Sequence, residues 1–369
     1  MNQKKTALIL VVGTLIGFTI IILLFLLSED MIHRQRDVFI RRYPHHPANK
    51  ENALDLGYKT YYIAGVGDGK IYLGNKMAPA HLIEVDTTLT DTTHIKIRLD
   101  ETDLPFQHPQ VRVNPPNFYV FDGQVPCVFK GNTEDWKGSL MMKDEAYFSF
   151  AEPIDTTSVV FRARSSKAKE KILGKFSVSD SVQVSLTADL LQKQIDGIFC
   201  TDGKLLFGKE LNKLIYVYFY RNQFIVADTD LKLDYVGKTI DTISKAQIKV
   251  AAIDSEKSTT STSGALVVNK HSCVYNNYLF INSNMLGKYE DENMLKQASI
   301  IDVYDLTKNT YEFSFYLYNY KTKKTRSFQV YGNLLIAMAD NYIVTHKLRP
   351  DQFKGMKIAK EATFKLTMK

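Results

Sequence analysis

The sequence is poor in cysteine, in tryptophan and in every short motif that announces an enzyme. Three cysteines, Cys127, Cys200 and Cys273, cannot all pair within one chain, and no C-x-x-C occurs. That removes the case for a thioredoxin-type redox site or a zinc ribbon. The cysteines stand 73 residues apart in apolar surroundings ("PCVFKG", "IFCTDG", "HSCVYN"), where buried reduced thiols are the favoured reading. The G-x-S-x-G elbow, the P-loop, H-E-x-x-H and G-x-G-x-x-G are all missing, so the motif-bearing hydrolase, nucleotide and zinc chemistries have no foothold. None of the asparagines is followed two places later by Ser or Thr; without a glycosylation acceptor the sequence tilts toward a bacterial envelope protein. Helical periodicity is scarce beyond the N-terminus. Its best candidate, "LTADLLQKQID" (186–196), reads equally as a loop with one or two helical turns.

Concentrated basic charge is also lacking where nucleic acid would need it. The net charge is +7, but Lys4 and Lys5 supply +2 and residues 28–50 a further +2, leaving +3 on the last 319 residues. A nucleic-acid surface carries its Lys and Arg on the folded domain; here the excess flanks an apolar run, and no nucleic-acid partner is expected. That run, "TALILVVGTLIGFTIIILLFLL" (6–27), has no charged residue across 22 positions. As a helix it is about 33 Å long, enough for the ~30 Å hydrocarbon layer of a bilayer. No small-residue cleavage site follows it in "SEDMIHRQRD", so an uncleaved anchor is expected rather than a removed signal peptide. The positive-inside count is indecisive, with Arg34, Arg36, Arg41 and Arg42 on the far side. The two-lysine tail has the layout of an export signal. The expectation is a cytoplasmic tail at 1–5, a bilayer span at 6–27 in a bacterial inner membrane, and an extracytoplasmic bulk. Residues 28–56, broken by "YPHHP", are expected as a stem holding that bulk off the membrane.

What the sequence has in abundance is strand formers: 21 Tyr, 21 Phe and many Val, Ile and Thr. From Gly57 to Leu348 short apolar or alternating runs ("HIKIRLD", "SVQVSL", "YEFSFYLY") are separated by turn residues. Asp68-Gly69, Asp122-Gly123, Asp202-Gly203, Asn276-Asn277 and Gly332-Asn333 mark the turns at loose spacings of 54, 80, 74 and 56 residues. Polar connectors lie at 164–171, 255–264 and 321–326. About 290 residues of such strands admit a β-propeller or two β-sandwiches. The cadence runs the whole length with no linker at its middle, which favours an all-β propeller over 57–348, with six blades or at most seven. The segment 349–369 would add a last strand or a tail. Ring closure is expected from pairing of residues near 58–66 with residues near 328–348.

The stretch "ASIIDVYDLTKNTYEFSFYLYNYKTKKTRSFQVYGNLLIAMADNYIVTHKL" (298–348) resembles the closing blades of uncharacterised membrane-anchored or lipoprotein β-propellers of the Bacteroidota envelope. The resemblance covers about the last third of the chain. It implies fold and envelope location, and brings no active-site motif with it.

Candidate chemistry is thin. "GVGDG" (65–69) has no helix behind it to hold a phosphate and reads as a hairpin turn. His81, His94 and His108, near Glu84, Asp86 and Asp91, match no metal-ligand spacing, and His45 and His46 fall in the stem. Asp68, Asp122, Asp202, Asn276 and Asn333 would be the carboxylates and amides of a lactonase-like metal site on a propeller, yet each is already explained as a turn residue. No catalytic residue, cofactor or metal is assigned. The aromatic clusters "YVYFYRNQF" and "YEFSFYLYNY" nominate Tyr216, Tyr218, Tyr220, Tyr316, Tyr318 and Tyr320 as contacts for a protein or peptide partner. The leading expectation is a membrane-anchored binding or scaffold module. A metal-dependent hydrolase, or an envelope carbohydrate binder or sensor, is the alternative.

Overall fold

A computed structural model of the chain describes residues 3–33, 38–165, 170–195, 197–248, 250–253, 258–261 and 264–353. The strand-rich part forms six antiparallel four-stranded sheets arranged as the blades of a propeller. Their inner strands are Tyr61–Gly67, Gln110–Asn114, Phe150–Pro153, Gly203–Gly208, Asn269–Tyr275 and Thr325–Tyr331, and neighbouring inner strands touch around a common axis. Blade 2 adds a short fifth strand, Arg98–Leu99, parallel to its outer edge. A separate hairpin, Val250–Ile253 with Ser258–Ser261, is inserted between blades 4 and 5.

Alternation explains the packing. A blade strand sends successive side chains to opposite faces, and each face is buried against the next blade. Six apolar clusters fill the six interfaces. Between blades 1 and 2, Tyr72 and Leu82 meet Val111, Phe118 and Phe129; between 5 and 6, Phe280, Val303 and Phe315 meet Phe328, Leu335 and Ala337. The ring is completed where Ile71, Leu73 and Val85 of blade 1 meet Ile336, Met338 and Ile343 of blade 6. At Gly65 the inner strands of blades 1 and 2 come so close that a Cβ would sit 1.8 Å from the Val113 carbonyl oxygen, so the position tolerates no side chain. The Asp68-Gly69 turn has φ of +52° and +74°, the double positive φ of a tight hairpin.

Closure differs from the expected pairing. Tyr61–Gly67 is the inner strand of blade 1 and pairs only within that blade. The strand that closes the ring is Ala48–Asp55, which runs antiparallel to Tyr342–Leu348 from Ala48↔Leu348 to Asp55↔Tyr342. Blade 6 is thus three C-terminal strands and one N-terminal strand. The closing strand lies inside the segment read from sequence as a stem. Its sequence, "ANKENALD", looks like linker because an outer strand needs only its backbone and one apolar face: Leu54 packs into the blade 6–blade 1 cluster while Lys50 and Glu51 stay exposed.

Two other readings change. Residues 186–195 form the end of a strand (Val182–Thr187) and then a loop, not helical turns; Leu190 and Leu191 are buried in the blade 3–blade 4 core, which accounts for their helix-like spacing. Beyond the last strand, Phe353 is buried against Tyr278, Phe280 and Phe313, so the described part of the C-terminal segment plugs the core. Residues 354–369 lie outside the described residues, as do 166–169 and half of the 255–264 connector.

The chain opens with a helix, Gln3–His33. Its large apolar side chains between Ile9 and Leu24 are exposed. Among the described residues no helix is long and apolar enough to cross a membrane, so the structure does not show the bilayer span expected at 6–27.

Candidate functional site

The axial channel is where side chains from all the blades converge. It encloses about 500 Å³ and is lined by the inner strands, with Lys76, Gln107 and His108 at the mouth. That mouth opens on the end of the propeller where blade-to-blade connectors lie. Strand alternation places every second inner-strand residue on the axis, and four blades put an ionisable group there: Arg112, Glu152, Lys204 and His271.

These four groups form a chain of contacts. Arg112 Nε lies 3.6 Å from a Glu152 carboxylate oxygen, an ion pair too long for a direct hydrogen bond, and its guanidinium sits over the Phe150 ring. Lys204 Nζ lies 3.0 Å from His271 Nδ1. His271 Nε2, 3.1 Å from the Phe328 carbonyl oxygen, carries the proton and donates it there, which leaves Nδ1 to accept from the lysine. Burial, and after it the Lys204 charge, holds the imidazole well below its ordinary value, so it is neutral. Burial likewise pulls the Lys204 ammonium down to about 8. Glu152 is pushed up by burial against the attraction of Arg112 and Lys204. Each side chain keeps some surface on the channel, but the surrounding ring leaves little water about it, and that partial desolvation is what shifts the equilibria.

A second constellation sits at the outer side of blade 5. Residues 38–47 run from the connector end, where Phe39 joins Leu266, Val268 and Met285, to the opposite end, where Pro47 accepts the Arg349 amide. On the way Arg41 is buried at 6% exposure. It pairs with Asp302 at 2.7 Å and Glu290 at 2.8 Å and donates to Ser283. Burial opposes its charge, but the two carboxylates outweigh burial and raise its pKa further. Residues 38–47, expected from sequence to be part of an extended stem, are therefore docked on the propeller.

The nominated tyrosines divide. Tyr216 and Tyr218 are core residues with 2% and 0% exposure: Tyr216 donates to the Thr201 carbonyl, and the Tyr218 ring lies 3.6 Å beneath the Arg221 guanidinium. They face the blade 3–blade 4 interface and cannot touch a partner. Tyr220 packs at the edge of a small cluster with Cys200 and Ala246. Tyr316 and Tyr318 lie on the outer strand of blade 5, Thr310–Tyr318. Tyr316 stacks on Tyr43 at 4.6 Å and Tyr318 is 61% exposed. Tyr320 meets Tyr342 edge-on.

The turn residues do not converge. Asp68, Asn276 and Asn333 stand in inner hairpin turns. Asp122 is fully buried, accepting the amides of Gln107 and His108 at 2.6 and 2.7 Å and those of Gln124 and Val125; it fastens the channel-mouth loop to blade 2. Asp202 is tied to Arg162 and Lys171, both at 2.7 Å. His81 and His94 are exposed on the outer half of blade 1, apart from His108 at the channel mouth. Among the described residues no group of three or more His, Cys, Asp or Glu could hold a metal ion. All three cysteines are buried and none forms a disulfide among the described residues, and of the three Cys273 lines the channel. The channel charges escaped sequence reasoning although a signal existed: Arg112, Glu152 and Lys204 are each the lone charged residue of a short inner strand.

No family model matches the sequence, and no curated protein does. Among solved structures the chain is similar to a member of the DUF4221 family from Bacteroides vulgatus, with a TM-score of 0.51 at 11% identity over 85% of this chain and 99% of that one. A structural-genomics protein of unknown function from Bacteroides thetaiotaomicron also aligns, with a TM-score of 0.48 at 11% identity over 82% of this chain and 73% of that one. At such identities the likeness concerns fold. It agrees with a propeller of the kind found in Bacteroides.

Proposed function

We propose that this protein is a membrane-anchored binding module, holding its propeller outside the cytoplasm at a bacterial inner membrane and presenting it to a protein or peptide partner. The observation that carries the reading is the pairing of two features in one short stretch. The helix carries consecutive exposed apolar side chains on all sides between Ile9 and Leu24, a surface water does not tolerate and lipid does. Its last residue, His33, is five positions from Val38, so the docked segment begins within about 19 Å of the helix end. Extending the apolar run through the uncharged residues 6–27 supplies the length a bilayer needs. For the partner, the exposed Tyr318 with its neighbours Tyr316 and Tyr43 offers the aromatic character of an interface centre, on the strand beside the tether.

Two measurements test this reading. Alkaline phosphatase fused after Lys369 should be active in a bacterial host, and the protein should resist alkaline extraction from membranes. An inactive fusion, with a cytoplasmic reporter active at the same site, reverses the orientation. A photo-crosslinking residue at Tyr318 should capture a discrete protein in cells, where the same residue at the exposed Tyr147 on blades 2–3 captures none; equal labelling at both removes the aromatic edge as the contact.

A further inference from the structure

The axial channel holds more positive charge than its own residues neutralise. Arg112 and Lys204 face Glu152 as the single carboxylate. The Arg112–Glu152 contact is loose at 3.6 Å, and among the described residues the one hydrogen-bond partner of Lys204 Nζ is the His271 imidazole, which is neutral. Enclosed ammonium groups are costly unless an anion compensates them. The remaining lining mixes amides, including Gln110 and Gln329, with aromatic rings. A volume of about 500 Å³ suits a small molecule.

We propose that the channel is a binding site for a small oxyanion, a carboxylate or phosphate carried on a sugar-sized hydroxylated body, held between Arg112 and Lys204. Arg112 offers the planar fork that fits an oxyanion. Lys204 supplies a point charge oriented by His271, and Glu152, on the neighbouring blade, pairs with Arg112 from the side. The amides meet hydroxyls on the body of the ligand. The site is open at the connector end through Lys76, Gln107 and His108, an entry that is itself basic and polar.

The proposal carries a pH signature. Lys204 is faced by His271 and Cys273 from blade 5, Glu152 from blade 3 and Arg112 from blade 2. With His271 neutral throughout, Lys204 is the group that titrates, near 8. An anion favours the ammonium, so affinity should be level from about pH 7, where a phosphate monoester is already doubly ionised, up to that value and fall about tenfold per pH unit above it.

The test is calorimetric titration of the full chain in detergent with D-glucuronate, glucose 6-phosphate and glucose, and it depends on neither the membrane anchor nor a protein partner. The expected result is binding of one of the two anions and not of glucose, with the identity of the binder separating carboxylate from phosphate. Lys204→Met and Arg112→Met should each weaken binding at least tenfold. Lys204→Met also removes an enclosed charge and should unfold at a higher temperature than the parent at pH 7, which shows that lost binding is not lost fold. Equal binding of glucose, binding indifferent to both substitutions, an affinity flat from pH 7 to 10, or no binding of either anion overturns the proposal.

Discussion

Single residues in this chain fall into those whose burial is compensated and those whose burial is not. Arg41 belongs to the first group. Its guanidinium has two carboxylates and a hydroxyl within 3.1 Å, so it holds the 38–47 segment to blade 5. Removing one partner of such a buried set strands the others. Arg41→Met should therefore cost about 3–5 kcal/mol in guanidinium chloride unfolding. Severing the exposed Lys347–Glu51 pair, 3.9 Å apart, should cost less than about 1 kcal/mol. Comparable losses from the two would show that Arg41 is not a clamp. Nothing in "FIRRY" marks Arg41 off from its neighbour Arg42, because what distinguishes them is a carboxylate 261 residues away. Tyr216 and Tyr218 mislead for the same reason: tyrosine serves a core and an interface equally well, and only its hydroxyl's partner decides which.

At the scale of elements, turns were legible and their positions within a blade were not. Four of the five marked turns are real: Asp68-Gly69, Asn276-Asn277 and Gly332-Asn333 join first to second strands and Asp122-Gly123 follows a second strand, whereas Asp202-Gly203 is no turn and leads into the first strand of a blade. Markers drawn from three different places in the repeat cannot share a spacing. Insertions between blades 4 and 5 stretch it further. Some turns carry their own acid-dependent stability. Asp305, buried at the end of Ala298–Asp305, accepts from Thr307 and the Lys308 amide and pairs with the Lys308 ammonium at 2.9 Å. Burial raises its pKa, but these hydrogen bonds prevail and hold it at about 2. A carboxylate lowered from 3.8 contributes stability that is complete above that value and is lost as pH falls through about 2. Asp305→Asn should thus be less stable than the parent at pH 7, with the gap closing between pH 4 and 2. A gap independent of pH would assign the effect to packing.

For the molecule as a whole, the six-bladed ring was readable from cadence because strand formers and turns alternate over its full length. Its fastening was not. An inner strand such as "YYIAGVG" announces itself by being buried on both faces, and so attracted the closing role; the outer strand Ala48–Asp55 is half exposed and composed like a linker. The consequence is structural. Each blade buries its faces only against its neighbours, and the strand that follows the N-terminal helix, Ala48–Asp55, is the last strand of the ring, so anything that pulls on that strand pulls on closure. The channel charges were likewise hidden in plain view, one per inner strand, since their meeting is a property of the ring and not of any stretch of sequence. The central claim is that residues 48–55 belong to the ring. Native-state hydrogen exchange on the full chain tests it most directly. Amides of 48–55 that pair with Tyr342–Leu348 should exchange as slowly as those of Leu334–Ala339 in the same blade. Exchange at the rate of an unstructured peptide, with Leu334–Ala339 still protected, would contradict it.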